Sequence, residues 1–347
     1  MKIILDAMGG DNAPVEFIKG AFAAAESDGA HIVLIGRVEQ MLSSMKELGY
    51  NDLPKGVELA NADDVVDMHD DPANVVHKRK NSSMVLGLKM LADGDGDAFI
   101  SAGNTGALLS AATLVVKRVR GIRRAAFCPT VPTKTGSCMI IDAGANAECT
   151  PEFLLQFGCM GSFYVQQSLG IKQPRVGLLN NGTEDSKGDE LHRQANALLR
   201  AAGERGLINF IGNVEARDVP LGAADVVVCD GFSGNVLLKS IEGTAMFMGS
   251  LFKQAFKKNL LTKLGAGLAM SGIKDVISLL DYNAVGGTML LGISKPVIKA
   301  HGSSNAVAVR NAIKQAKACA ESGICQTIKE NVNLLTVPKE TAENAAT

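Results

Sequence analysis

The feature that most constrains the fold is an alternation of short apolar runs, each closed by Gly, Asn, Ser or Asp, with segments of helical periodicity. In the first unit, KIILDAMGG indicates a strand and a turn, VEFIKGAFAAAES has helical apolar spacing, and HIVLIG predicts the next strand. Further strands are predicted at VELANA, DAFISA, SCMIIDAG, RVGLLNN, NFIGNV and ADVVVCDG. This order predicts an α/β protein with a doubly wound, mostly parallel sheet covered by helices on both faces.

The length of the chain bounds the number of domains. With 347 residues, 46% of them hydrophobic, the chain can bury a large core and fits one or two α/β domains. Neither a linker rich in Pro, Gly and Ser nor a repeat of fixed period divides the sequence. We therefore predict one unit over residues 1–335, in which two lobes remain possible, and a flexible polar tail over residues 336–347.

Composition excludes several classes of function. A formal net charge of −1 and the absence of Trp argue against nucleic-acid binding, which uses basic surfaces and aromatic platforms. The seven cysteines form no C-x-x-C pair and have no zinc-like spacing with His, so we expect reduced thiols and no metal site. No secretory signal or membrane-spanning run is evident, and we expect a cytoplasmic protein without a nicotinamide or flavin cofactor.

Polar loops follow several of the predicted strands, where open parallel sheets bind their ligands. The loop SAGNTG follows the strand DAFISA and precedes a predicted helix. Free backbone N–H groups at the start of that helix, with hydroxyl and amide side chains, predict a phosphate cradle. Its members are Ser101, Gly103, Asn104, Thr105 and Gly106. The alternative is a capped helix after a glycine turn.

Two later loops carry candidates for catalysis. Lys187 lies in LLNNGTEDSKGDEL, where it can bind phosphate as a point charge or, if desolvated, act as a base. Acidic residues in the same loop leave open the alternative that Lys187 forms a structural ion pair. The loop CDGFSGN follows an apolar strand, and its Asn235 can donate a hydrogen bond to a developing oxyanion. Turn chemistry and helix capping are the alternative for this loop. Its other candidate site residues are Asp230, Ser233 and Gly234.

Two smaller clusters are further candidates for substrate binding. The run HGSSN, between a short strand and an amphipathic helix, places His301, Ser303 and Asn305 together. The run HKRKNSSM places Arg79 and Ser82 before a helix, where they can contact phosphate or form a solvated basic face.

The segment Leu251–Met270 combines apolar residues at four-residue spacing with lysines at other positions. A basic amphipathic helix of this kind can pack in the core, pack in a dimer, lie on an anionic membrane, or attract an acidic carrier protein. The sequence leaves these alternatives open.

The stretches LDAMGGDNAP, SAGNTGALL, IIDAGAN, KGDEL, CDGFSGNVLLK and IKAHGSSNA, in this order, resemble the bacterial phosphate acyltransferase family of phospholipid synthesis over residues 1 to about 330. The resemblance implies the fold of phosphotransacetylases and of isocitrate and isopropylmalate dehydrogenases. It implies that a fatty-acyl group moves from acyl carrier protein to inorganic phosphate, and that a glycerol-3-phosphate acyltransferase then uses the acyl phosphate. It also implies a homodimer with peripheral membrane association, a key lysine at Lys187 and a key asparagine at Asn235.

This reaction fits the residues, because phosphate is itself the nucleophile and neither a catalytic triad nor a covalent cysteine is required. In the resulting hypothesis, the SAGNTG loop and Lys187 hold phosphate against the thioester carbonyl, and Asn235 stabilises the oxyanion. Three alternatives remain: a phosphotransacetylase-like enzyme that uses coenzyme A, a decarboxylating dehydrogenase, and a phosphate-binding membrane scaffold without catalysis. The dehydrogenase needs an arginine cluster, which the sequence does not offer.

Overall fold

A computed structural model of the chain describes residues 1–269, 272 and 286–335. These residues form twelve strands. In chain order they are β1 (Lys2–Asp6), β2 (His31–Gly36), β3 (Val57–Asn61), β4 (Ala98–Ser101), β5 (Ala126–Cys128), β6 (Thr130–Thr133), β7 (Gly136–Ile141), β8 (Arg175–Asn180), β9 (Asn209–Glu215), β10 (Val226–Val228), β11 (Gly287–Leu291) and β12 (Val297–Ala300).

The α-helices alternate with these strands. In chain order they are α1 (Val15–Asp28), α2 (Val38–Glu47), α3 (Val75–Lys78), α4 (Ser83–Asp93), α5 (Thr105–Ala111), α6 (Pro151–Leu169), α7 (Glu190–Glu204), α8 (Gly231–Lys257), α9 (Leu260–Leu268), α10 (Ala306–Ser322) and α11 (Ile324–Glu330). Within the described part of the chain, no helix is long and apolar enough to cross a membrane.

The strands form two sheets. The first has the order β3, β2, β1, β4, β12, β11, β5, and is parallel except that β11 runs antiparallel to both neighbours. The second has the order β6, β7, β10, β8, β9, and only its edge strand β6 is antiparallel among the strands described. The predicted α/β class with mostly parallel sheets is confirmed. Whether the chain acts as one unit or as two lobes stays a prediction.

Apolar strands lie at the centre of each sheet because helices cover both faces. In β1, Ile3 and Leu5 belong to one buried cluster while Ile4, between them, belongs to another on the opposite face. The first cluster also contains Ile141 and Val228 of the second sheet. The two sheets therefore share a continuous core, which fixes the position of one sheet relative to the other.

The segment Leu251–Met270 is not one helix, and this corrects the predicted single amphipathic helix. Helix α8 ends at Lys257, and the Asn259 side chain accepts the backbone N–H of Thr262 to begin α9. The Thr262 hydroxyl in turn accepts the backbone N–H of Asn259, completing a capping box. A capping box satisfies the free backbone N–H groups at the start of a helix, so a new helix begins after Asn259. Met270 and the predicted tail lie outside the described residues.

Candidate active site

A cleft of about 620 Å³ lies between the two sheets. The first sheet contributes residues that follow strand ends, among them Thr105 after β4 and Lys299, His301 and Gly302 at the end of β12. Such placement is typical of ligand sites in open α/β sheets, which lie at the carboxyl ends of parallel strands.

The facing wall comes from the second sheet and is mixed in character. Helix α8 contributes Asn235, Lys239 and Glu242, and the Lys239 ammonium lies 2.7 Å from a carboxylate oxygen of Glu242. Large apolar side chains also line the cleft: Phe127 of β5 in the first sheet, Pro129 directly after β5, and Val131, Pro132, Leu238 and Ile241 on the side of the second sheet. The cleft therefore offers apolar surface beside charged and amide groups, a combination that suits an amphipathic ligand.

The start of α8 explains the position of Asn235. The Asp230 carboxylate caps the helix and accepts the backbone N–H groups of Phe232 at 2.9 Å and Ser233 at 2.8 Å. Gly234 packs so closely that a Cβ there would overlap the carbonyl oxygen of Asp142. The helix thus lies against the loop after β7, and Asn235 reaches the cleft from its first turn. Asp230, Ser233 and Gly234 hold this position and do not line the cleft.

The loop after β7 is fixed by the carboxylate of Asp142. This buried group accepts the backbone N–H groups of Phe127 at 3.0 Å, Ala145 at 3.1 Å and Asn146 at 2.7 Å. Burial raises the pKa of Asp142 despite these hydrogen bonds, which favour the carboxylate. Strand β5 and the loop after β7 are thereby tied together beside the cleft.

A second buried carboxylate, Asp6, fixes the loop of the predicted phosphate cradle. The Ser101 hydroxyl donates to Asp6 at 2.7 Å and accepts the backbone N–H of Gly103 at 3.1 Å. Burial raises the pKa of Asp6. Gly103 lies so close to Gly9 that a Cβ on Gly9 would be 2.7 Å from its nitrogen. Ser101 and Gly103 are buried behind the cleft surface, and neither lines the cleft.

The remaining residues of the predicted cradle have different roles, because two of them stabilise the local structure and one lines the cleft. The Asn104 side chain caps α5 by accepting the backbone N–H of Ala107 at 3.0 Å, and it donates to the carbonyl of Met68 at 2.9 Å. Gly106 packs against Pro72, where a Cβ would approach to 2.8 Å. Thr105 alone, of the five residues predicted for this loop, lines the cleft.

At the end of β12, the residues of the HGSSN run form one local unit. The His301 ring nitrogen Nδ1 lies 2.8 Å from the Ser303 hydroxyl, and Asn305 caps α10 by accepting the backbone N–H of Ala308 at 3.0 Å. His301 lines the cleft, whereas Ser303 and Asn305 do not. Burial and the nearby lysine charges lower the pKa of His301, which favours the neutral ring.

Lys299 lines the cleft and was missed by the sequence reasoning. Its ammonium donates to the carbonyl oxygens of Ala102 at 3.2 Å and Ala300 at 2.5 Å. Burial lowers the pKa of Lys299 to about 8. The available signal was a lysine inside the otherwise apolar strand VIKA, at a position where a central strand rarely carries a charge.

Three other predicted residues do not reach the cleft. Arg79 pairs with Asp70 at 2.9 Å and with Asp64 at 3.2 Å. Ser82 caps α4, its hydroxyl accepting a backbone N–H. Lys187 lies on the loop after β8 with 46% of its side chain exposed, and its ammonium is 3.9 Å from a carboxylate oxygen of Glu184.

Solved structures that share this fold include phosphotransacylases and dehydrogenases. The EutD phosphotransacetylase from Staphylococcus aureus matches with a TM-score of 0.60 and 20% identity, over 92% of this chain and 94% of that chain. A branched-chain phosphotransacylase from Enterococcus faecalis matches with a TM-score of 0.57 and 14% identity, over 92% and 99%. A 4-hydroxythreonine-4-phosphate dehydrogenase from Klebsiella pneumoniae has a TM-score of 0.54 and 14% identity, over 92% and 99%. At these identities the likeness concerns the fold alone.

Sequence relatives define the family. The family model described as fatty acid synthesis protein matches residues 1–327. A phosphate acyltransferase from Thermoanaerobacterium thermosaccharolyticum is 45% identical over 335 residues, 96% of this chain and 98% of the relative. Another from Oceanobacillus iheyensis is 46% identical over 333 residues, 96% of this chain and 97% of the relative. The chain belongs to the phosphate acyltransferase family, and it is an acyltransferase of fatty-acid and lipid synthesis.

Proposed function

We propose that this enzyme takes a fatty-acyl group from acyl carrier protein and transfers it to inorganic phosphate, giving acyl phosphate for phospholipid synthesis. The observation that carries the proposal is the two-sided character of the cleft, in which apolar residues such as Val131 and Ile241 lie beside Asn235 and Lys299. Apolar surface suits a fatty-acyl chain, and the polar groups suit phosphate and a thioester carbonyl.

In the proposed reaction, a phosphate oxygen attacks the thioester carbonyl carbon and forms the new C–O bond. The C–S bond breaks, and the carrier thiolate leaves and takes up the proton given up by hydrogen phosphate. We assign to the Asn235 amide a hydrogen bond to the tetrahedral oxyanion, which such donors stabilise most when charge develops.

The role of Lys187 is part of the same proposal. The loop that carries Lys187 follows β8, and the loop that leads to Asn235 follows β10, its parallel neighbour. Parallel neighbours end at the same edge of a sheet, which supports a place for both residues at one reaction centre. We propose that Lys187 supplies positive charge to the reacting phosphate and thioester once the acyl carrier is bound.

The proposal that acyl carrier protein is the acyl donor rests on the charge of the two partners. Acyl carrier protein is expected to be acidic, and exposed lysines are present at Lys253, Lys257 and Lys258 near the end of α8 and at Lys78 and Lys80 near α3. Opposite charges on two partners raise the rate of association and orient the encounter. A glycerol-3-phosphate acyltransferase is the proposed consumer of the acyl phosphate.

The assembly and location are further proposals. Large apolar side chains on α8 are exposed: Met246, Phe247, Met248, Leu251 and Phe252. A patch of this kind on a chain taken alone supports an interaction surface. We propose a cytoplasmic homodimer that associates peripherally with the inner face of the membrane through Leu251–Met270.

Release of carrier thiol from purified acyl carrier protein thioester tests this function, with phosphate omitted as the control and acyl coenzyme A as the competing donor. The proposal predicts phosphate-dependent release that is faster with the carrier protein. Preference for coenzyme A favours the phosphotransacetylase-like alternative. Phosphate binding without release from either donor favours a non-catalytic scaffold.

A further inference from the structure

Two lysines among the described residues line the cleft, Lys299 and Lys239, and their surroundings differ. Lys239 is 56% exposed and is paired with Glu242 at 2.7 Å. Lys299 is partly buried, with its ammonium against two carbonyl oxygens, and no carboxylate of the described residues forms an ion pair with it. A cation withdrawn from water without a paired anion is costly, so this arrangement points to an anionic ligand.

The ammonium of Lys299 has a fixed orientation. An ammonium has three N–H donors, and two of them are accepted by the carbonyl oxygens of Ala102 and Ala300. These carbonyls lie at the ends of the parallel neighbours β4 and β12, where Lys299 pairs in register with Ser101. Because the side chain lines the cleft, its third donor is the one that a ligand can use.

We propose that Lys299 binds the inorganic phosphate substrate directly, as the cationic residue of a phosphate subsite at the ends of β4 and β12. Thr105 lines the same cleft, and we assign to its hydroxyl the role of a second donor. The inference rests on the proposed transfer of an acyl group to phosphate in this cleft. It assigns substrate affinity to Lys299 and leaves stabilisation of the oxyanion to Asn235.

The electrostatic surroundings of Lys299 agree with this assignment. The charged and titratable groups around it come from the end of β1 and the loop after it, from α8 and from its own strand end: Asp6, Asp11, Lys239, Glu242 and His301. Burial lowers the pKa of Lys299 to about 8, while the two aspartates raise it and Lys239 lowers it. A phosphate dianion favours the charged lysine, so phosphate and proton bind cooperatively.

The test compares Lys299→Met with Lys295→Met in the full-length protein. Lys295 is a matched control, because its ammonium also donates to two carbonyl oxygens, those of Leu91 and Ala92, but it lies outside the cleft. Initial rates give the KM values for phosphate and for the acyl donor, and calorimetry with inorganic phosphate gives a Kd without turnover. We expect Lys299→Met to raise the phosphate KM and Kd by about 10- to 100-fold, as for loss of a hydrogen bond to a charged group. The acyl-donor KM should change little, and Lys295→Met should behave like the unchanged protein.

A folded Lys299→Met variant with an unchanged phosphate KM and Kd would overturn the inference. If that variant fails to fold, the pH dependence of phosphate binding to the unchanged protein tests the inference instead. Its phosphate affinity must fall as the pH rises through about 8, the pKa of Lys299. A flat profile from pH 7 to 9.5 would contradict the inference. Phosphate binding that depends on Lys299, without thiol release from any acyl donor, would refute the proposed reaction and leave the subsite standing.

Discussion

The two sheets carry different kinds of cation. On the first sheet, Lys299 is held against two carbonyl oxygens at the end of a buried strand. On the second sheet, Lys187 lies outside the cleft on a loop near Glu184, and 46% of its side chain is exposed. A fixed cation suits a small substrate that must be held, whereas an exposed loop suits a group that engages only after a large partner has docked. We therefore expect the first sheet to govern phosphate affinity and the second to govern turnover.

The largest effect should come from Asn235→Ala. Loss of an oxyanion donor lowers kcat by about 100- to 1,000-fold, while the phosphate KM should change little because the amide acts mainly in the transition state. The neighbouring Val236→Ala is the control, since Val236 is half exposed and does not line the cleft. A change confined to the phosphate KM would indicate that Asn235 contributes to phosphate affinity and not to turnover.

The next effect should come from Lys187→Ala, with an expected fall in kcat of about 10- to 100-fold. Combined with Lys299→Met, the two changes should multiply in kcat/KM, because the two lysines contact different protein groups and are assigned to different steps. Initial rates of the two single variants and the double variant measure this. A double variant no worse than Lys299→Met would indicate that both lysines bind the same phosphate oxygens.

The pH dependence of the phosphate KM should further distinguish the role of the first sheet from that of the second. Below about pH 8 Lys299 is charged, and above it the ammonium fraction falls by about tenfold per pH unit, so the phosphate KM should rise in proportion. Lys299→Arg keeps its charge over this range and should remove the rise. A rise that persists in the arginine variant would assign the titration to another group.

The smallest effect on activity should come from Ser101→Ala. Removing this hydroxyl takes a donor from the buried Asp6 carboxylate and an acceptor from the Gly103 nitrogen, which should lower the free energy of unfolding by about 1–3 kcal/mol. The phosphate KM should change less than about threefold if phosphate does not contact Ser101. Denaturant unfolding and initial rates give both values. A large rise in the phosphate KM at unchanged stability would restore Ser101 to the phosphate cradle.

The fold could be read from the sequence because strand ends and helix starts carry local signals. The site was harder, because an oxygen at the start of a helix has the same residue type whether it caps the helix or binds a ligand. Asn104, Asp230 and Asn305 are caps in the structure, and only their hydrogen bonds distinguish them from ligand groups.

Lys299 shows the opposite limitation. Its contact with the carbonyl of Ala102 joins residues 197 positions apart and depends on the pairing of β4 with β12. No local pattern encodes that pairing, so a lysine in a short apolar strand could not be assigned to a site from the sequence. The break at Asn259 was missed for a related reason, since the four-residue apolar spacing continues across it.

The most direct test of the account is the formation of acyl phosphate from acyl carrier protein thioester and radiolabelled inorganic phosphate, measured for the unchanged protein and for Lys299→Met. The account predicts label in acyl phosphate in equal amount to the thiol released, with the variant reaching the same rate only at about 10- to 100-fold higher phosphate. Thiol release without labelled acyl phosphate would contradict the transfer reaction, and equal phosphate dependence of the two proteins would contradict the assigned subsite.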